Sequence, residues 1–249
     1  MTKQNPYDEL LNAPRESRSK VAEHLYDQHH AQRREKADRL PTKRRLKRIA
    51  LYKAIIGYGH QCILELGCGS GDLTYALVDH AEKIIGTDIS AKAVEMAEAR
   101  KTLWPLRDDQ IKRADFKQMS AVQLDFPDGM FDWAISTSMI EHLHPDDVDN
   151  HLREVRRVLK AGGNYLIWCP NGLGHHDDRD AHLTMLSYRE WVEKLTRAGF
   201  RRFRSPMTSR LPVVDARWKI FLERLLLLSH LNIMWSHLGV RNVLLVATK

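Results

Sequence analysis

Apolar runs alternate with helix-like segments through most of the chain after residue 60. Short runs rich in Ile, Leu and Val are typical of strands buried on both faces, and segments of about 10 to 15 residues with helical apolar spacing lie between them. The predicted strands are residues 62–66, 83–89, 111–116, 131–138, 164–170, 201–205 and 242–249, and the predicted helices are residues 72–80, 90–103, 145–160 and 187–200. This alternation indicates an α/β domain whose mostly parallel sheet is covered on both faces.

The N-terminal part of the chain does not follow this alternation. Residues 1–40 are polar and rich in His, Arg and Glu, and we expect them to be partly helical. A further helix is predicted to begin after Pro41 and to end at Gly57. Its apolar positions recur at helical spacing and predict a buried face, formed by Leu46, Ile49, Ala50 and Ile56. We therefore predict a helical, basic N-terminal extension over residues 1–45.

A second departure lies between the last two predicted strands. Residues 206–241 carry apolar side chains over much of a helix surface, including several Leu and Trp residues. The sequence leaves open whether this insert packs on the sheet, forms a dimer contact or covers the site as an acceptor lid. We assign it to a domain that spans residues 46–249.

Composition and cysteine usage narrow the class of protein. A hydrophobic content of 43% and a charged content of 29% fit a folded globular chain. The first twenty residues lack an apolar core, so we expect no signal peptide, and the uncharged stretch 225–240 is too short and too polar for a membrane span. The three cysteines show no CxxC spacing, so neither a disulfide framework nor a zinc-cysteine site is indicated. We expect a reduced, cytoplasmic protein.

The positive charge is concentrated in one segment. Residues 32–53 contain ten Lys and Arg against two acidic residues, a net charge of +8 where the whole chain carries +7. Such a segment can contact phosphates, so RNA is one candidate partner. Alternatively, this segment could bind an anionic small acceptor or cover a ligand pocket, or its charges could simply form the solvent-exposed face of a helix.

A glycine-rich loop joins the first predicted strand to its helix. In the sequence ILELGCGSGDL (63–73), three glycines recur as Gly67, Gly69 and Gly71. A loop of this kind lets a ligand approach the backbone, and the following helix offers free N–H groups. Asp88 ends the second strand 21 residues after Gly67, where a carboxylate can bind ribose hydroxyls. The GxGxG spacing and the preceding Glu65 differ from a dinucleotide loop, so we expect another ribose-bearing cofactor.

These features together resemble class I S-adenosylmethionine-dependent methyltransferases. The resemblance rests on ELGCGSG, on Asp88 and Asp115 after successive strands, and on FDWAISTSMIEHL and LREVRRVLKAGGNYLI. It covers roughly residues 60–170, and the EHL and RVLKxGG elements are most similar to the group that methylates small molecules. The resemblance implies a Rossmann-like, doubly wound, seven-stranded sheet with an antiparallel last strand.

The resemblance also implies how the cofactor S-adenosylmethionine is bound. The residues expected on its methionine side are Glu65, Gly67, Cys68, Gly69, Gly71 and Ser136. On the nucleoside side, Asp88 would bind both ribose hydroxyls and Ile89 would pack on the adenine. Asp115 would accept a hydrogen bond from the adenine amine, with Phe116 beside the ring.

Histidines in the loops after the fourth and fifth strands are the candidate catalytic groups. A hydroxyl acceptor benefits from a base with a pKa near 7, which favours His142, His176 or His182. Ubiquinone-pathway O-methyltransferases carry a similar EH element that coordinates a divalent ion together with an acid three residues earlier. That position is Ser138 here, so no metal site is predicted, although His176 and the two acids after it could supply ligands.

We therefore predict S-adenosylmethionine-dependent methyl transfer to a small-molecule or lipid-like acceptor, at oxygen in preference to nitrogen or carbon. Weak contact with a membrane surface is compatible with the apolar insert. The alternatives are an RNA methyltransferase that uses the basic residues 32–53, and a non-catalytic, cofactor-binding partner subunit.

Overall fold

A computed structural model of the protein describes residues 7–32, 40–172, 182–205 and 242–249. The predicted insert at 206–241 and His176 therefore lie outside the described residues. The helices are α1 (Tyr7–Asn12), α2 (Arg18–Gln32), α3 (Lys43–Ile56), α4 (Asp72–Ala76), α5 (Ala91–Ala99), α6 (Asp108–Ile111), α7 (Val148–Val158) and α8 (Tyr188–Arg197). The strands are β1 (His60–Leu66), β2 (Ala81–Asp88), β3 (Ala114–Gln118), β4 (Phe131–Thr137), β5 (Leu159–Pro170), β6 (Arg201–Arg204) and β7 (Asn242–Thr248).

The seven strands form one sheet in the order β3-β2-β1-β4-β5-β7-β6. Strand β7 runs antiparallel to both of its neighbours, and the other paired strands are parallel. The predicted α/β fold class, with a doubly wound sheet and an antiparallel last strand, is confirmed. The strand order reverses between β1 and β4, and ligands of such sheets bind at the carboxyl ends of the strands on either side of that point.

Helices pack on both faces of the sheet because the central strands are apolar on both faces. Ile63 and Leu64, adjacent in β1, are fully buried in two different hydrophobic clusters. One cluster includes residues of α7 and α8, among them Trp191, and the other includes residues of α3 and α4. A continuous apolar run such as CILEL is what a strand covered on both faces requires.

Helix α3 begins where it was predicted, but its buried face differs. Thr42 caps it by accepting a hydrogen bond from the Arg45 backbone N–H at 3.3 Å. The buried residues of α3 are Ile49, Tyr52 and Ile56, whereas Leu46 is 44% exposed and Ala50 is also exposed. At about 100° per residue, Leu46 lies about 120° around the helix from Tyr52, outside the stripe that faces the sheet. The expected burial of Leu46 and Ala50 was wrong.

The N-terminal helices α1 and α2 are held against the carboxyl ends of the strands. Asp27 of α2 accepts hydrogen bonds from the Ser90 hydroxyl at 2.6 Å and from the Lys92 backbone N–H at 3.2 Å. Arg18 forms ion pairs with Asp146 and Asp147 at 2.9 and 3.3 Å. Residues 7–12 and 18–32 of the extension are therefore helical, and they cover the side of the sheet where a ligand would bind.

Candidate active site

A cavity of about 1030 Å³ lies at the carboxyl ends of β1, β2 and β4. Its floor is formed by the loops that follow these strands, and its roof by α1, α2 and the start of α3. Ligand pockets commonly have volumes of about 300 to 1,000 Å³, so this cavity has room for a cofactor and an acceptor together.

The glycine loop forms part of the cavity floor. Gly67 and Gly69 line it, while Gly71 packs beneath it. Gly67 has a φ of +69°, and a Cβ there would overlap the Met139 side chain. Gly71 has a φ of +73°, and a Cβ there would come within 2.8 Å of the Phe116 ring. The sequence needs glycine at these positions because both the backbone conformation and the close packing exclude a side chain.

Asp88, at the end of β2, presents a buried carboxylate to the cavity. It is 8% exposed, and its oxygens accept hydrogen bonds from the backbone N–H of Gly69 at 2.9 Å and of Ser90 at 3.0 Å. Burial raises the pKa of Asp88, and these two N–H groups oppose that shift. A carboxylate has about four lone-pair sites, so two remain for a ligand with vicinal hydroxyls. Ile89 follows it and also lines the cavity.

Glu65 and Cys68 complete the floor around the glycine loop, and both line the cavity. The Thr74 hydroxyl donates a hydrogen bond to Glu65 at 2.5 Å, and burial raises the pKa of Glu65 to about 8. Burial also raises the pKa of the Cys68 thiol. Five predicted cofactor residues are thus brought to one wall with Asp88: Glu65, Gly67, Cys68, Gly69 and Ile89. This wall, with its buried carboxylate and its glycine-rich loop, fits a ribose-bearing cofactor.

The structure does not bring Ser136 to the cavity. Ser136 is fully buried in the sheet, where its hydroxyl shares a hydrogen bond with Tyr165 Oη at 2.7 Å. The same Tyr165 oxygen lies 2.8 Å from His151 Nε2. Because side chains alternate along a strand, the cavity is lined instead by the following residues, Thr137 and Ser138.

Asp115 and Phe116 are also placed elsewhere than expected. Strand β3 continues to Gln118, so both residues lie within the strand and not at its end. Asp115 forms an ion pair with Lys83 at 3.3 Å, and Phe116 packs beneath the glycine loop. The cavity lining after β3 consists of residues 119–122, which the sequence analysis missed because it ended this strand too early.

Two of the three predicted catalytic histidines meet in the cavity lining. His142 lies on the turn after β4 and His182 on the loop before α8, and their ring centroids are 5.2 Å apart. Both line the cavity, and the Tyr26 ring of α2 lies 5.8 Å from that of His142. The roof residues Tyr26, His29 and His30 were not predicted, although their i, i+3, i+4 spacing places them on one helix face.

Comparisons with known proteins agree with this site. Residues 63–163 match the family model described as "Methyltransferase domain". The chain is 31% identical over 150 residues to a probable S-adenosylmethionine-dependent methyltransferase of Mycolicibacterium smegmatis, covering 57% of this chain and 54% of the relative. It is 36% identical over 104 residues to demethylmenaquinone methyltransferase of Lactococcus lactis, covering 41% and 38%. The chain thus spans about half, or less, of the length of these curated relatives.

Solved structures share the fold. The YcgJ protein of Bacillus subtilis aligns with a TM-score of 0.58 at 18% identity, covering 82% of this chain and 97% of that one. An S-adenosylmethionine-dependent methyltransferase of Archaeoglobus fulgidus aligns with a TM-score of 0.59 at 16% identity, covering 84% and 95%. The architecture is therefore that of Rossmann-like methyltransferases. Residues 63–163 are therefore similar to a methyltransferase domain, and the fold, the glycine loop and the Asp88 site agree with the class I S-adenosylmethionine-dependent methyltransferases that the chain resembles.

Proposed function

We propose that the protein transfers a methyl group from S-adenosylmethionine to the oxygen of a small or lipid-like acceptor. The observation that carries this proposal is the pairing of two walls on one cavity. The glycine loop and Asp88 form a cofactor wall, and His142 and His182 form a second, polar wall of the same cavity.

The residues of the chain have distinct parts in this reaction. The bound cofactor supplies a methyl group that is already activated by its sulfonium, so positioning accounts for much of the catalysis. Asp88 and the backbone of Gly69 fix the ribose end. His142 or His182 accepts the proton that a hydroxyl acceptor loses as its oxygen takes the methyl group. Helix α2 contributes Tyr26, His29 and His30 to the roof over the reacting groups.

The roof of the cavity favours an acceptor with an apolar portion. Tyr7, Leu10, Ala22 and Tyr26 of α1 and α2 line it. Aromatic and aliphatic side chains of this kind bind rings or aliphatic chains through the area they remove from water.

The exposed face of α3 supports a lipid-like acceptor over RNA. Helix α3 contains six Lys and Arg and no acidic residue, and Lys43, Arg44 and Lys47 are exposed. Leu46 lies among them at 44% exposure, and Leu40, 57% exposed, lines the cavity mouth. Basic residues interleaved with exposed leucines fit an anionic lipid surface, because the leucines can insert among the acyl chains while the basic residues bind the headgroups. RNA phosphates would contact only the basic residues.

Vesicle sedimentation tests this surface. The protein should bind vesicles of phosphatidylcholine with phosphatidylserine and not vesicles of phosphatidylcholine alone. Leu46→Ser should weaken binding several-fold without changing charge, and Lys43→Glu/Lys47→Glu should weaken it further, while Lys101→Glu, an exposed control elsewhere, should not. Tight binding to RNA that Leu46→Ser leaves unchanged, with none to anionic vesicles, would favour the RNA alternative.

The activity itself is tested with methyl-labelled S-adenosylmethionine and a fractionated cell extract. Label should enter the organic or small-polar fraction and be lost with Asp88→Asn. Label in the RNA fraction would support the RNA alternative and overturn the acceptor class. Cofactor binding with no label in any fraction would indicate a non-catalytic partner subunit.

A further inference from the structure

Three potential metal ligands converge on the acceptor wall of the cavity. Glu141 and His142 lie on the short helical turn after β4, and His182 lies on the loop before α8. One ligand atom from each residue lies within 4.8 Å of the others. His142 and His182 line the cavity, so the cluster borders the space for the acceptor.

Hydrogen bonds hold the two loops in register. The Thr184 backbone N–H donates to the Glu141 carbonyl at 2.9 Å, and the Thr184 hydroxyl donates to the Leu143 carbonyl at 2.7 Å. His182 is therefore fixed close to the turn that carries the other two ligands. Preorganisation of this kind is what a metal site needs from the surrounding chain.

The Glu141 carboxyl group is buried, and the described residues around it leave one of its oxygens without a hydrogen bond. Its residue is 1% exposed, and its Oε2 atom has no hydrogen-bond partner among the described residues. A buried polar atom without a partner costs about 1 to 3 kcal/mol, and more when charged. A cation between this carboxylate and the two imidazoles would offset that cost.

The donor set suits a borderline divalent transition metal. Two imidazoles and one carboxylate form the protein ligands of several catalytic zinc sites, and they leave a fourth position open. Ligands on tetrahedral zinc, each at about 2.1 Å, lie about 3.4 Å apart. The ligand atoms of the cluster, within 4.8 Å of one another, would have to approach by up to about 1.4 Å to close around an ion.

We propose that Glu141, His142 and His182 bind one divalent transition-metal ion such as zinc. The similar enzymes carry an acidic ligand three residues before this glutamate, where the present chain has Ser138. His182, from the loop before α8, is the third ligand instead. With both imidazoles held by the ion, neither would act as the base named above; an acceptor hydroxyl bound at the open position would instead have its pKa lowered by the ion and lose its proton to solvent. This last role rests on the proposed function, whereas the binding of the ion does not.

Calorimetric titration of zinc chloride into the untagged, chelator-stripped full-length protein tests the site. We expect one tight equivalent in the wild type. Glu141→Gln keeps the side-chain volume and removes the anionic donor, and His182→Ala removes an imidazole. Each should weaken zinc binding by more than about 100-fold, since even outer-shell partners of metal ligands change affinity about 10- to 100-fold. His24→Ala, an exposed histidine of α2 bonded to Gln28, is the matched control and should bind as the wild type does.

Cobalt(II) provides a second readout that does not depend on activity. The wild type should show visible absorption typical of a tetrahedral site, and Glu141→Gln and His182→Ala should lose it. No tight zinc equivalent in the wild type, or variants that retain it, would overturn the metal site. If methyl transfer persists in that case, the proposed function stands alone. Tight zinc binding without transfer to any fraction would contradict the proposed function and leave the site intact.

Discussion

The replacement Asp88→Asn probes the cofactor wall most sharply. It keeps the size of the side chain but removes its charge and exchanges one acceptor oxygen for a donor amide. In the wild type, the two carboxylate oxygens already accept from Gly69 and Ser90 and retain two sites for a ligand. In the variant, the amide NH₂ must face one of these backbone N–H groups.

The expected loss follows from the hydrogen bonds that the ligand would make. A hydrogen bond to a charged group contributes about 1.5 to 3 kcal/mol. Weakening the two bonds from vicinal hydroxyls should therefore cost about 3 kcal/mol of binding free energy, which raises Kd for S-adenosylmethionine roughly 150-fold. Isothermal titration calorimetry at pH 7.5 measures this directly, and circular dichroism shows whether the variant is folded.

Asp115→Asn is the matched control, since it makes the same chemical change on the neighbouring strand. The Asp115 side chain is about a third exposed and pairs with a half-exposed Lys83, so its loss should cost little stability. Because Asp115 does not line the cavity, its variant should bind the cofactor within about twofold of the wild type. Near-normal binding by Asp88→Asn would show that this carboxylate does not bind the ribose hydroxyls. An equal loss with Asp115→Asn would support the adenine contact that the resemblance implied.

Three further predictions concern stability. Gly162→Ala and Gly71→Ala impose similar backbone strain, at φ +75° and +73°, but only the new Cβ at position 71 meets an aromatic ring. Urea denaturation should show that Gly162→Ala lowers the free energy of unfolding by about 1 kcal/mol, and that Gly71→Ala lowers it by about 1 to 3 kcal/mol more. Burial lowers the pKa of His151 to about 4. As the pH falls from about 6.5 to 4, the unfolded chain binds a proton at this histidine before the folded one does, so the free energy of unfolding should fall by about 3 kcal/mol. Urea midpoints of His151→Gln should therefore depend less on pH over that range. Asp72→Asn should cost about 3 to 5 kcal/mol in the same assay, because it removes the carboxylate that pairs with buried Arg100 at 2.7 Å. Equal losses at the two glycines, an unchanged pH dependence, or a loss below 1 kcal/mol at Asp72 would contradict these contacts.

The sheet could be predicted from the sequence because its central strands are covered on both faces. Continuous apolar runs such as that of β1 are required there, and they stand out against the polar helix backs. Strand β3 lies at the edge of the sheet, and four of its five residues are half-buried or exposed. It therefore lacks a strong apolar signal, and its end was placed two residues early.

The cofactor wall could be predicted where local geometry fixes it. Gly67, Gly69 and Asp88 follow directly from a strand–loop–helix unit, so their spacing along the chain carries their position in space. The other wall depends on tertiary packing. His182 meets His142 through the hydrogen bonds of Thr184, and Tyr26 reaches them because Asp27 holds α2 against α5. No local pattern encodes contacts between such distant segments.

Catalysis of methyl transfer can be measured as turnover of labelled cofactor. Wild-type protein and Asp88→Asn would each be incubated with methyl-labelled S-adenosylmethionine and the organic fraction of a cell extract, and the labelled product would be counted and identified by mass spectrometry. We expect repeated turnover to a singly methylated, apolar product by the wild type and its loss in the variant. Binding of the cofactor by the wild type with no methylated product in any fraction would contradict this expectation.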